Sequence, residues 1–295
     1  MSDQNPPKIN PKAYELYDDY AHNRIDRRKF MDKLSMYAVG GLTVPTLLSF
    51  FMPDYENKIQ VAADDERLQS EYITYASPKG GKEIKGLLSR PVNRKEKLPG
   101  IIVVHENRGL NPHIEDVARR AALGNFISLA PDALTPLGGY PGNDDDGRAL
   151  QKKRDKGEML QDFIAAFEHL KAHPECNGKV GVTGFCFGGW ISNMMAVHIP
   201  DLGAAVPFYG TQPTAEEVPD IKAPLLLHFA ALDERVNKGW PDYARALQDH
   251  NKEYSAHLYP DVNHGFHNDT TGRYDYDAAQ LAWQRTLEFF NMRLR

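Results

Sequence analysis

From about residue 70 the chain alternates short apolar or β-branched runs with segments of helical period. Glu71–Ala76 and Ile84–Arg90 flank Pro78-Lys79-Gly80-Gly81 and read as an antiparallel hairpin. Strands are then expected at Gly100–Glu106, Phe126–Pro131, Val180–Cys186, Ala204–Tyr209, Pro224–Ala230 and Tyr254–Tyr259. Most of these runs are apolar throughout rather than alternating, which suits strands covered on both faces of a parallel sheet. Helical spacing falls between them, at Ile114–Leu123, Asp155–Ala172, Gly189–Val197, Pro241–Asn251 and Asp275–Met292. The alternation predicts an α/β chain, with a mostly parallel twisted sheet and helices on both faces. Ligands on such sheets bind outside the carboxyl ends of the strands.

The first 63 residues do not share this rhythm and are read as an N-terminal extension, with residues 64–295 as the catalytic domain. Asp26-Arg27-Arg28-Lys29-Phe30-Met31 precedes a largely apolar stretch from Leu34 to Met52. Paired arginines followed by a moderately apolar segment resemble a twin-arginine export signal, with Val61-Ala62-Ala63 as the best cleavage site. That reading implies a periplasmic protein. The alternative is a cytoplasmic protein in which Ala13–Tyr20 and Phe30–Tyr37 are amphipathic helices packed on the main domain. Pro45 and three polar residues interrupt the apolar stretch, so no stable membrane span is expected.

Composition narrows the chemistry only slightly. A hydrophobic content of 41% and a charged content of 25% are ordinary for a soluble enzyme, and a net charge of −5 speaks against nucleic-acid binding. Oligomeric state is not legible. The two cysteines, Cys176 and Cys186, are not in a C-x-x-C pair and form no disulfide framework. Cys186 is the informative one, because it lies in Gly184-Phe185-Cys186-Phe187-Gly188-Gly189 directly after an apolar run. This is the thiol version of a nucleophile elbow, where small residues two positions away let strand and helix approach while the reactive side chain is lifted above the sheet.

A thiol attacks as thiolate and needs a base oriented by a third group. Asp233 follows the strand Pro224–Ala230, and His264 follows Tyr254–Tyr259, in the order expected of elbow hydrolases. Glu234 or Asp261 are rivals for the acid, and His267 for the base. The oxyanion donors would be the backbone amides of Phe187 and Asn107. Glu106 is the odd residue, since a carboxylate disfavours a nearby thiolate; it is expected to accept a hydrogen bond from the neutral thiol. His264, His267 and Asp269 invite a metal reading, but a turn does not set ligand spacing as a helix does, so no metal or cofactor is expected.

The chain from about residue 70 resembles the dienelactone hydrolases, the carboxymethylenebutenolidase group of the α/β-hydrolase fold. The segments that carry the likeness are Val103-Val104-His105-Glu106 with Gly109, Ala130-Pro131-Asp132, the Gly184–Gly189 elbow, Pro207-Phe208-Tyr209-Gly210, Asp233, and Tyr259 through Phe266. The resemblance implies a Cys186–His264–Asp233 triad and a gating role for Glu106. It also implies arginines that clamp a substrate carboxylate. Arg148 and Arg154 are candidates for one clamp, whereas His267 stands near the place of the other. A relative acting on a different small ester or lactone is therefore expected, working through an acyl-enzyme. A thioesterase or peptidase on the same triad, or a catalytically silent binding scaffold, is the alternative.

Overall fold

The computed structural model describes residues 9–39, 41–93 and 96–295. Three helices come first: α1 (Pro11–Ala21), α2 (Arg27–Leu34) and α3 (Val44–Phe51). The hairpin β1 (Leu68–Ser77) and β2 (Lys82–Pro91) follows, then β3 (Leu98–Val104), α4 (Pro112–Leu123), β4 (Ile127–Pro131), α5 (Asp144–Gln151) and α6 (Lys156–Lys171). The remainder is β5 (Cys176–Phe185), α7 (Phe187–His198), β6 (Ala204–Phe208), β7 (Leu225–Ala230), α8 (Glu234–Asn237), α9 (Trp240–Asp249), β8 (Tyr254–Tyr259) and α10 (Tyr276–Leu294). The eight strands form one sheet in the order β1-β2-β4-β3-β5-β6-β7-β8. β2 runs antiparallel to β1 and β4, and the strands from β4 to β8 are mutually parallel.

The apolar run of β3 shows why a continuous pattern means a covered strand. Ile102 and Val104 join one core with Phe163, Phe167 and Leu170 of α6. Ile101 and Val103 point the other way, into a second core with Ile114 and Val117 of α4 and Phe290 of α10. All four are fully buried, and each contributes on the order of 1.5–3 kcal/mol relative to exposure. The sheet order places β4 on one side of β3 and β5 on the other, so successive connections diverge at β3. A crevice opens at the carboxyl ends there.

The N-terminal helices have their own small core. Ala13, Leu16, Tyr17 and Tyr20 recur at helical spacing along α1 and are buried against Phe30 and Leu34 of α2 and Leu47 and Phe51 of α3. Tyr17 stacks on Phe51 with ring centres 4.8 Å apart, and Tyr20 on Phe30 at 4.5 Å. Asp26 caps α2 by accepting the Lys29 amide at 2.7 Å, so the arginine pair opens a helix. Pro45 sits in the first turn of α3, where a proline costs no hydrogen bond, rather than in mid-helix. Among the described residues no helix is long and apolar enough to cross a membrane.

This segment is tied to the sheet domain along its length. The Tyr20 hydroxyl donates to Asp145 at 2.6 Å, the Gly272 amide to the Phe50 carbonyl at 2.8 Å, and the Asp54 amide to the Thr270 carbonyl at 2.8 Å. Phe30→Ala is expected to weaken the segment by about 3–5 kcal/mol. Hydrogen exchange checks this: amides of residues 9–52 should lose at least ~10²-fold of their protection, with β3 and β5 little changed. Undiminished protection would show that the aromatic cluster does not hold the segment.

Candidate active site

Two loops meet at the crevice. β5 ends at Phe185, and α7 begins at Phe187, leaving Cys186 alone to make the turn. Its backbone takes φ 59°, ψ −110°, a region that non-glycine residues enter only under constraint. Glycines make room for the turn. A Cβ on Gly184 would lie 2.2 Å from the Gly188 carbonyl oxygen, and one on Gly188 would lie 2.4 Å from that of Val104. Strand, elbow and helix thus touch backbone to backbone. The partly exposed Cys186 thiol is held above the sheet, at the edge of a cavity of about 480 Å³.

Asp233 caps α8: one carboxylate oxygen accepts the Val236 amide at 3.1 Å. The other accepts Nδ1–H of His264 at 2.5 Å. Both side chains are buried, and that bond leaves the His264 Nε2 without another hydrogen-bonding nitrogen or oxygen. Sγ of Cys186 lies within 4.8 Å of a His264 ring nitrogen. Tyr209 packs over the His264 ring at 4.9 Å between ring centres and restricts its swing. Neither the Phe187 nor the Asn107 amide has an acceptor among the described residues, and both residues line the cavity. The Asn107 side chain donates to the Ala21 carbonyl at 2.5 Å, which fastens its loop to the end of α1.

The charges favour a thiolate. Burial alone would raise the Cys186 pKa, but His264 and His22 outweigh it and hold the thiol down to about 5. Burial alone would lower His264, yet Asp233 and the thiolate push it up to about 10. Each group thus favours the charged form of the other, thiolate beside imidazolium.

Glu106 and His267 stand elsewhere than expected. Glu106 does not meet the thiol. It is buried, accepts from Asn268 Nδ2 at 3.2 Å and lies 3.6 Å from the Arg108 guanidinium, while Sγ of Cys186 faces His22 Nε2 at 3.4 Å. Burial would raise the Glu106 carboxyl, but Arg108 outweighs it and keeps the group low, so its charge is already balanced. His267 is also absent from the cavity. It is buried on the far side of the elbow, with its ring stacked on Phe185 at 4.8 Å, beside a smaller cavity lined by Arg120 and Trp283. A turn separates its side chain from that of His264 although only two residues intervene. Arg148 and Arg154 do line the main cavity, but each is paired, Arg148 with Asp145 and Arg154 with Asp162 at 2.8 Å.

Two residues of the site escaped the sequence. Arg235 directly follows the Asp233-Glu234 pair and points back into the site. Its guanidinium lies 3.3 Å from Asp18, 3.3 Å from His22 Nε2 and 3.3 Å from His264 Nδ1. His22 comes from the end of α1. The only local signal for it was Asp18 four positions earlier, the spacing of facing side chains on a helix. His22, Cys186 and His264 place ligand-type atoms within 4.8 Å of one another, a spacing that a soft cation accepts. The fixed positive charge of Arg235 opposes that use.

A family profile described as the dienelactone hydrolase family matches residues 84–294. The chain belongs to the dienelactone hydrolase family. It is, accordingly, a carboxylic ester hydrolase with a small-molecule substrate. Among similar proteins, "Protein usf" of Aquifex pyrophilus is 36% identical over 72% of this chain and 94% of its own length. A protein of Escherichia coli K12 named "Putative carboxymethylenebutenolidase" is 31% identical over 72% and 84%. A Klebsiella pneumoniae crystal structure titled as a "Putative Dienelactone Hydrolase" is 27% identical, covers 76% of this chain and 99% of its own, and superposes with a TM-score of 0.66. A separate profile, described as YqhI-like, matches residues 1–40. His22 thus lies outside the part of the chain that matches the dienelactone hydrolases.

Alkylation of Cys186 by iodoacetamide reports its thiolate. The rate should stay near its neutral-pH value down to about pH 6 and fall through about pH 5, where the thiolate takes a proton. In His264→Gln the midpoint should climb towards about 8.5, the ordinary thiol value. A wild-type midpoint above 8 would refute the ion-pair picture.

Proposed function

We propose that the chain hydrolyses a small ester or lactone through a thioester formed on Cys186. The observation that carries this reading is the strained elbow of Cys186, within reach of a His264 ring whose far nitrogen is bound by Asp233. In the resting pair the thiol proton already resides on the imidazole. The thiolate forms a bond to the carbonyl carbon, and the carbonyl electron pair moves onto oxygen, where the Phe187 and Asn107 amides receive it. Collapse breaks the bond to the leaving oxygen as an imidazolium of the site gives up its N–H proton to that oxygen. Water then adds to the acyl carbon, its proton returns to imidazole, and the C–S bond breaks to restore the thiolate. Asp233 fixes the His264 ring orientation throughout.

The cavity also bears on substrate class. Arg148 and Arg154 are committed to Asp145 and Asp162, so neither offers an unopposed charge to a substrate carboxylate. Any contact to a substrate carboxylate would fall instead to Lys152 or Lys156, which also line the cavity. In this reading Glu106 acts on the thiol only if it leaves Arg108 and Asn268. Cys186, His264 and Asp233 all belong to the domain of residues 64–295, and the helices α1–α3 of the extension pack against it.

Turnover of p-nitrophenyl acetate should fall to background in Cys186→Ala. In Asp233→Asn it should fall by about 10²–10⁴-fold, because the imidazole loses its orientation. Wild-type turnover in Cys186→Ala would end the reading.

A further inference from the structure

Two imidazoles, not one, face the nucleophilic sulfur, and each carries its own carboxylate. Nδ1 of His22 donates to the Asp18 carbonyl at 2.8 Å and lies 3.1 Å from the Asp18 carboxylate, which leaves Nε2 turned to Sγ of Cys186 at 3.4 Å. The Asp18–His22 pair thus resembles that of Asp233 and His264 in setting a carboxylate beside Nδ1, although the hydrogen bond itself goes to the Asp18 carbonyl. The two rings meet edge to face, with centres 5.2 Å apart. A histidine that only closed the last turn of α1 would need its Nδ1 contact and nothing more. Here the other nitrogen reaches the reacting atom and the ring lines the cavity.

The charged groups around His22 come from every element packed on it. Asp18 belongs to its own helix, and Arg24 lies 3.5 Å from that carboxylate. Cys186 comes from the elbow, Arg235 from α8 and His264 from the loop after β8. The strong hold of His264 on its proton suits a lasting counter-ion for the thiolate. It makes that ring a reluctant donor to a leaving group, because efficient general acids have pKa values near the working pH.

We propose that His22 is a second catalytic acid–base residue, supplied by the N-terminal segment, which protonates the leaving oxygen while His264 remains the partner of the thiolate. This rests on Cys186 being the nucleophile. As the acyl–oxygen bond breaks, the Nε2–H bond of the His22 imidazolium breaks too, and its proton forms the new O–H bond of the departing alcohol. Neutral His22 then takes a proton from the attacking water as the hydroxyl oxygen bonds to the acyl carbon. The C–S electron pair returns to sulfur, so that His22 and the thiolate are both restored. One ester and one water become one acid and one alcohol.

The test is the dependence on leaving group in the full-length enzyme. p-Nitrophenyl acetate expels an anion that needs no proton, whereas trifluoroethyl acetate expels a basic alkoxide that does. His22→Gln should lose about 10²-fold in kcat/KM, which reports acylation alone, on the trifluoroethyl ester and less than ~3-fold on the nitrophenyl ester. Free imidazole should restore part of the loss in His22→Gly. Asp18→Asn should shift the ratio between the two esters in the same direction, and it decides the matter if the His22 variants do not fold. Equal losses in kcat/KM on both esters would assign His22 a purely structural part and overturn the proposal, as would no loss on either. Cys186→Ala separates this from the parent reading. Hydrolysis that survives there overturns both, whereas hydrolysis lost there but wild-type in His22→Gln overturns the role of His22 alone.

Discussion

The site depends on backbones meeting without side chains between them. Gly184 closes on Gly188, Gly188 on the carbonyl of Val104, and Gly189 on Gly210, at distances where any Cβ would force the strands and α7 apart. Only with that contact does the turn at Cys186 stay at a positive φ, since such a conformation persists where its surroundings over-determine it. The same contact carries the first amide of α7 up to the cavity rim, beside the thiol. A helix N-terminus favours negative charge, so the turn that strains the cysteine also places its sulfur where a negative charge is favoured. Sulfur, amide and helix end are positioned by one steric requirement.

Buried charge is the second theme, and it is kept in two balanced groups. One contains the thiolate of Cys186 with His264, Asp233, His22, Asp18 and Arg235. The other contains Glu106 and Asp144 with Arg108 and Arg273, Asp144 also accepting from Tyr55 at 2.9 Å. An unpaired charge in either place would be costly, because desolvation is offset only by close partners. The separation explains how a carboxylate two residues past β3 coexists with a thiolate at the end of β5. Arg108 takes up its charge, and the cysteine finds cationic partners elsewhere.

The N-terminal segment shows how a weak local structure becomes part of a site. Helices of eight to eleven residues are marginal in water on their own. Here their aromatic faces pack on one another, and hydrogen bonds from Tyr20, Phe50 and Asp54 dock the group onto the sheet domain. A docked helix can then present His22 to a cysteine 164 positions away. It also grips the Asn107 side chain, so that the loop bearing the second oxyanion amide is braced from the same side.

The strand runs, the main helices after them and the elbow were legible in the amino-acid order because each has a local cause. Continuous apolar runs such as Ile101–Val104 can only be covered strands, and glycines two positions either side of Cys186 have a steric purpose that needs no distant partner to be recognised. Asp233 and His264 were legible because chain order and strand ends constrain where an acid and a base can stand. Glu106, His267, Arg235 and His22 were not, because the direction of a side chain at a loop or helix end depends on what packs against it. Three positions separate His264 from His267, yet the intervening turn sends one ring to the sulfur and the other behind Phe185. His22 was hidden most deeply: its helix is read from α1 alone, but its place beside the thiol exists only once an aromatic cluster has folded and docked. Local pattern therefore settled the sheet and the place of Cys186, while long-range packing settled which charges surround that cysteine.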